Sequence, residues 1–433
     1  MPERPPVLFL LIDAIPFDLA WEAWNQGAMP GFGEPRPSVS VFPSLTDVAV
    51  PALLRCVGGE RPPGYEARWY HPPSGEIRGP GDLASEAAVA PFQGRPRGLL
   101  AQAALYLLRG PLAYAQVRWI THRFAREGGP WLGYLSATDG VAHFDGRAGL
   151  RRAFDRVLAA VDAMRREHRR RTGAWPDAVV CSDHGIAFGR LHHLAEHELA
   201  AHLAAGGFRP GDRGPDGVVL VPWGEVGSGV AYGDPARAPE LAERVASAPG
   251  VDLAFGIESG GCLAVRHDGA RARLVWQGDR HGYQPLAGDP LGYAPVFASL
   301  AAAGLLEQGL APDPPLFAAT WPLPYPDALA RVRLGLGDLV LHPAPVLFSM
   351  REDWTFGPAL THAGAVLLGG QVGTHGALSA AQSLGFAAAS EALGDPWPGA
   401  PALRSEQVFA PWRALLERAS AESRPGGSDP AQD

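Results

Sequence analysis

Three short apolar runs, each leading into an aspartate, constrain this chain more than any other feature. Val7–Ile12 runs into Asp13, Trp131–Ser136 into Asp139, and Ala178–Cys181 into Asp183. Continuous apolar runs of this length suit parallel strands buried on both faces. Between the second and third, Leu150, Phe154, Val157, Leu158, Val161 and Met164 recur at helical spacing. Strand, helix, strand, with an acid closing each strand, predicts an α/β fold: a doubly wound, mostly parallel sheet flanked by helices. Open sheets of this kind gather ligands beyond the carboxyl ends of their strands. The aspartates are therefore candidate site residues.

Further elements follow from local pattern. Pro16–Gly27, Val48–Arg55 and His193–Gly206 read as helices, and Ala363–Leu368 as a strand returning to the main sheet before His375. From about Val218 the texture changes to short strand-like pieces around one helix near Pro239–Ala246, which predicts a smaller α/β insertion. Pro- and Gly-rich loops are expected from Ala287 to Pro345. The expected organisation is a main α/β domain over 1–224 and 336–422, an inserted lid or cap over 225–335, and a disordered tail over 423–433.

Composition narrows the classes. A chain of 433 residues, 46% hydrophobic and 19% charged, is that of a globular protein with a large core. A formal charge of -8 argues against nucleic-acid or anionic-membrane partners, which need a basic footprint. All 37 basic residues are arginine, and the absence of lysine removes Schiff-base, pyridoxal-phosphate and P-loop chemistry. Cys56, Cys181 and Cys262 form no CxxC pair and no disulfide framework, which fits a reducing compartment. No run reaches the roughly 18 apolar residues of a membrane span. Asp13 ends the first apolar run too early for a signal-peptide core, so a cytoplasmic location is expected.

The chemistry-bearing motifs lie at or near the strand ends. Asp139 and His143, four residues apart, can converge on one ion if the intervening loop turns. Ser182-Asp183-His184-Gly185 places two adjacent ligand types after a buried strand. Gly373-Thr374-His375-Gly376 offers one more histidine, with His281 in Arg280-His281-Gly282 as its rival. Phe42-Pro43-Ser44-Leu45-Thr46 puts a hydroxyl before a predicted helix, where exposed N–H groups welcome a phosphate or sulfate. Thr46 could instead simply cap that helix, and Ser44 is the rival nucleophile. A second histidine cluster, His192, His193, His197 and His202, puts His193 and His197 on one predicted helical face and is left outside the site. Arg55 and Tyr70 are within sequence reach of a substrate.

The ordered set Asp13, Thr46, Asp139/His143, Asp183-His184 and His375-Gly376 resembles the alkaline phosphatase superfamily, and within it the type I phosphodiesterase/nucleotide pyrophosphatase branch. The resemblance covers roughly residues 7–200 and 340–395. It implies two divalent ions, zinc foremost, with manganese or iron able to take the same ligands. Asp139, His143 and His375 would hold one, and Asp13, Thr46, Asp183 and His184 the other. It also implies a hydrolase of phosphate ester or anhydride bonds acting on a small phosphate-containing substrate through a phospho-threonine at Thr46. A phosphomonoesterase, a phosphonate hydrolase, a phosphomutase or a catalytically silent homologue are the alternatives.

Two departures stand out. Pyrophosphatase-type members follow the nucleophile with Phe-Pro-Asn, whereas Asp47, Val48 and Ala49 stand here, and the chain's sole asparagine is Asn25. The usual His-Gly after the first helix appears as Pro63-Gly64. Neither touches the ligand set. No C/S-x-P-x-R sequence of the sulfatase members occurs. Oligomeric state leaves no sequence signal.

Overall fold

The computed structural model describes residues 6–79, 106–127 and 130–416. The tail expected over 423–433 lies outside the described residues. A central sheet of six strands runs in the order Leu403–Arg404, Arg36–Val39, Leu384–Ala389, Asp177–Cys181, Val7–Ile12, Trp131–Leu135. It is parallel except for Leu384–Ala389, which opposes both its neighbours. The three acid-tipped runs are thus adjacent, with Val7–Ile12 in the middle and paired to both others.

Period-two alternation explains why the middle strand has no polar side. Leu8, Leu10 and Ile12 pack with Val117, Ile120, Phe154, Val157 and Val161 on one face. Val7, Phe9 and Leu11 pack with Val50, Leu53 and Phe409 on the other. Burying each such side chain contributes about 2 kcal/mol against exposure, so helices on both faces are what make this apolar run a strand. The long helix Ala137–Thr172 supplies much of one face; Gly146, at φ 63°, breaks its path after the second turn. A left-handed residue there needs glycine.

A second, nine-stranded sheet runs from Ala311–Pro312 through Arg280–Ala287, Arg271–Gln277, Gly261–Arg266, Val251–Glu258, Val346–Met350, Ser228–Gly233 and Gly217–Leu220 to Arg209–Pro210. Every pairing is antiparallel except the last. Its inner residues Phe255, Leu274 and Tyr283 share a core with Phe42, Leu45 and Val48, so this sheet packs behind the loop that carries Thr46.

Three local expectations need correction. Ala363–Leu368 is not a strand: most of it belongs to the helix Ala359–Leu367. Its apolar residues lack strand alternation, and Leu360, Val366 and Leu367 are exposed. Between Ala287 and Pro345 the chain forms helices Ala294–Ala302, Asp313–Thr320 and Ala328–Leu336 rather than only loops. The prolines read as breakers open the first two of these helices, where a missing N–H costs nothing. Finally, His192–Ala195 is a strand, and the helix begins at Glu196, whose capping comes from Glu198 accepting from Ala195 N at 2.8 Å. His193 and His197 therefore share no helical face.

Candidate metal centre

Each strand end delivers its acid by a sharp turn. After Val7–Ile12 the chain reverses at Ala14, a non-glycine residue at φ 59°, a conformation costing about 1 kcal/mol. Ala14 N and Ile15 N bond to Asp183 Oδ1 (3.4 Å) and Ser182 Oγ (2.9 Å), which pins the first and third strand ends together. After Trp131–Leu135 the chain enters the long helix directly. Asp139 and His143 meet through one helical turn instead of the expected loop, with His143 Nε2 3.2 Å from Asp139 Oδ1. At Gly185 a Cβ would lie 2.5 Å from Ala381 O, so only glycine lets the Asp183-His184 turn pass this close. His375 follows the two-residue strand Gly373–Thr374, which pairs with Ala187–Phe188 just beyond that turn.

The structure brings these residues together in two buried groups, Asp139/His143/His375 and Asp13/Asp183/His184. His375 Nε2 lies 3.5 Å from Asp139 Oδ1. His184 Nε2 lies 3.4 Å from Asp183 Oδ2 and 3.6 Å from Asp13 Oδ1. The imidazoles of His184 and His375 stack at 3.9 Å, so the two groups adjoin. Thr46 Oγ1 sits 3.2 Å from His184 Nε2. Thr46 is the first residue of helix Thr46–Leu53 and caps nothing, because Leu45 holds the cap position without a side-chain bond.

Two observations test whether these residues fit divalent ions. All three histidines engage Nδ1 with a backbone carbonyl: His143 with Gly373 O at 2.8 Å, His184 with Gly185 O at 3.0 Å, His375 with Ser44 O at 2.9 Å. Donation from Nδ1 leaves Nε2 as a lone pair facing its carboxylates, the form a metal takes. Asp139 Oδ1 and Asp183 Oδ2 are buried and accept no hydrogen bond among the described residues, a costly condition for ionised oxygens unless a cation meets them. The donor set fits.

The electrostatics of the two groups differ, and beside Asp139 the His143 imidazole is held above its ordinary value even though burial opposes this. Burial pushes Asp183 up to about 6, against the pull of His375. Burial and the neighbouring His375 hold His184 well below the ordinary histidine range, so it stays neutral. Burial would raise Asp139 too, but His143 and His375 outweigh it and hold the carboxyl well below its usual value.

Side chains that sequence reading missed complete the surroundings. Tyr134 OH donates to Asp13 Oδ2, and Tyr106 OH donates to Asp139 Oδ2 at 3.1 Å. Tyr134 lies on the strand beside the Asp13 strand, and the polar tip it carries within an apolar run was the signal for it in the sequence. Arg331, 4% exposed on helix Ala328–Leu336, donates to Ser44 Oγ, Val41 O, Leu378 O, Ser383 Oγ and Pro326 O.

The rivals fall elsewhere. Ser44 is fully buried, its hydroxyl engaged by Val41 O, Ala377 O and Arg331. His281 lies in strand Arg280–Ala287, 3.3 Å from Asp313, and joins neither group. Arg55 bonds Asp338 O and Leu339 O, and Tyr70 packs on Tyr232; neither lines the site cavity. That cavity, of about 700 Å³, holds Asp13, Thr46, Asp139, His143 and His375 on its floor and Tyr106, Phe144, Trp223 and Leu367 among its walls. No helix among the described residues is long and apolar enough to cross a membrane.

No family model and no curated relative matches the sequence. Solved structures do match nearly end to end. Phosphonoacetate hydrolase from Sinorhizobium meliloti 1021, in complex with phosphonoformate, is similar at 15% identity over 97% of this chain and 96% of that one, with a TM-score of 0.49. Murine ectonucleotide pyrophosphatase/phosphodiesterase 5 is similar at 10% identity over 95% of both chains, with a TM-score of 0.49. The human protein of the same name reaches 0.50, at 12% identity over 95% of this chain and 94% of that one. With its mostly parallel central sheet and appended second sheet, the chain shares the fold of that human protein.

Proposed function

We propose that this protein is a metal-dependent phosphoesterase, of the phosphodiesterase/nucleotide pyrophosphatase kind, that works through Thr46. The observation that carries this reading is Thr46 Oγ1 at 3.2 Å from His184 Nε2, on the floor of a cavity shared by both ligand groups. Asp139, His143 and His375 would hold one divalent ion; Asp13, Asp183, His184 and Thr46 would hold the other. When bound, two such ions lower the pKa of a neighbouring hydroxyl and stabilise charge on phosphoryl oxygens.

The chain's own residues do the rest. Thr46 Oγ bonds to phosphorus while the bond to the leaving oxygen breaks; the threonine proton goes to solvent, and the leaving group takes one from it. A water oxygen then bonds to phosphorus, the P–Oγ bond breaks, and Thr46 regains its proton. Helix Thr46–Leu53 presents its positive end to the phosphoryl group. Tyr134 and Tyr106 orient the two carboxylates.

The cavity favours a diester over a small dianion. Its walls leave room for an organic group beside aromatic rings, and no arginine lines it among the described residues. Thr46→Ala should abolish hydrolysis of bis-nitrophenyl phosphate while metal content is retained. Unchanged turnover, or a preference for the monoester, would reject the reading.

A further inference from the structure

A third group, like the Asp139 group, sets two histidines about one buried carboxylate, and that carboxylate lies on the wall of the same cavity. His193, Glu225 and His362 come from three distant segments: strand His192–Ala195, the turn before strand Ser228–Gly233, and helix Ala359–Leu367. Backbone pairing fixes their meeting. His193 is opposite Thr355 in the parallel ladder with Trp354–Gly357, and Val226 bridges Phe356 one position along. We propose that His193, Glu225 and His362 bind a third divalent ion of the zinc type.

The spacing supports a shared ion. His193 Nδ1 lies 3.4 Å and His362 Nδ1 3.0 Å from Glu225 Oε1. In the Asp139 group the corresponding separations are 3.2 and 3.5 Å. Ligands about 2.0 Å from one tetrahedral ion stand about 3.3 Å apart, so both groups have the right edge length.

Hydrogen bonding supports it independently. Glu225 is 4% exposed, and its Oε2 has no hydrogen-bond partner among the described residues. No arginine pairs with Glu225 among the described residues; its Oε1 meets only the two imidazoles and Thr355 Oγ1, at 2.8 Å. The two rings stack at 4.2 Å with 2° between their planes, an arrangement that two imidazolium cations would oppose by repulsion. One cation shared by neutral rings satisfies the carboxylate without that repulsion. His362, with its side chain 41% exposed, gives the ion a path from solvent.

Glu225 lines the Thr46 cavity. On the phosphoesterase reading, a cation here supplies the positive charge that the described walls otherwise lack. The ion itself does not depend on that reading, because it can be counted without substrate.

The test uses the full chain, stripped by chelator, reloaded with zinc, desalted and measured by plasma mass spectrometry. The expected result is three zinc per chain in the wild type and two in His362→Ala, a change on a half-open helix face. His193→Ala should also give two, with circular dichroism reporting the fold of each variant. Two zinc in the wild type, or three retained in folded His362→Ala, would overturn the proposal. A wild type with three zinc and no esterase activity would instead reject the functional reading and leave this site standing.

Discussion

Arg331 offers a test of how the second sheet's helices hold the reactive loops in place. Its guanidinium is buried and donates to Pro326 O and Leu378 O at 3.0 Å each, to Val41 O at 3.2 Å, to Ser44 Oγ at 3.0 Å and to Ser383 Oγ at 2.6 Å. Ser44 in turn bonds the histidine loop twice: its N–H donates to Gly376 O at 3.0 Å, and its carbonyl accepts from His375 Nδ1 at 2.9 Å. One cation therefore ties the segment two residues before Thr46 to the loop carrying His375. Burial lowers Arg331 to about 10, helped back by Asp327, so it remains charged at neutral pH. Methionine in its place keeps most of the volume and removes every donor. Val41 O and Leu378 O retain second donors in Ser44 Oγ and Ser383 Oγ, at 3.1 and 3.2 Å; Pro326 O has no such support among the described residues. Charge-assisted bonds at about 1.5 kcal/mol each, offset by several kcal/mol of relieved desolvation, leave a net loss of about 3 kcal/mol. Urea unfolding of the metal-stripped protein measures this without a contribution from bound ions. Zinc affinity should also fall, through the loosened His375. A change under about 0.5 kcal/mol with unaltered zinc affinity would refute the idea that Arg331 positions these loops.

Three further outcomes are expected. Tyr134→Phe removes the donor to Asp13 Oδ2 and should weaken zinc binding at that group by about 10- to 100-fold in chelator competition. Glu66, a wall residue accepting from Trp223 N and Gly224 N, is pushed up to about 7 by burial. A raised carboxyl keeps its proton in the folded state, so stability falls as pH rises from the unfolded value towards 7 and stays lower above it. Glu66→Gln should remove that fall, a relative gain of about 2 kcal/mol at pH 8 over pH 4 once partial exposure is allowed for; parallel pH profiles of variant and wild type would contradict it. Gly185→Ala drives a Cβ to 2.5 Å from Ala381 O and 2.7 Å from Leu384 O. It should cost about 2 kcal/mol and displace His184, which a lowered melting temperature together with reduced zinc content would report.

Some of this was legible before any coordinates. Val7–Ile12, Trp131–Leu135 and Asp177–Cys181 are apolar on both faces, and a short run of that kind has few stable settings other than the middle of a helix-covered sheet. Once those strands are parallel and adjacent, Asp13, Asp139 and Asp183 must emerge at one edge. Local pattern was weaker where two elements share a composition. Ala363–Leu368 is apolar enough for a strand, yet with Pro358 ahead of it and no partner strand it stays helical. The prolines near 295 and 314 mark helix starts as readily as loops.

Sequence by itself determined the three acid-tipped strands and the edge at which their acids collect, because hydrophobic periodicity is a local property that burial enforces. Only the tertiary structure set Thr46 rather than Ser44 beside His184 and His375 rather than His281 beside Asp139, and it alone showed which arginine, tyrosines and outlying histidines stand nearby. Those choices rest on contacts between residues far apart in the chain, such as Ser44 with His375 and Glu225 with His362. The direction of a side chain at such a point is set by the partner that folding delivers, and no spacing along the chain encodes it.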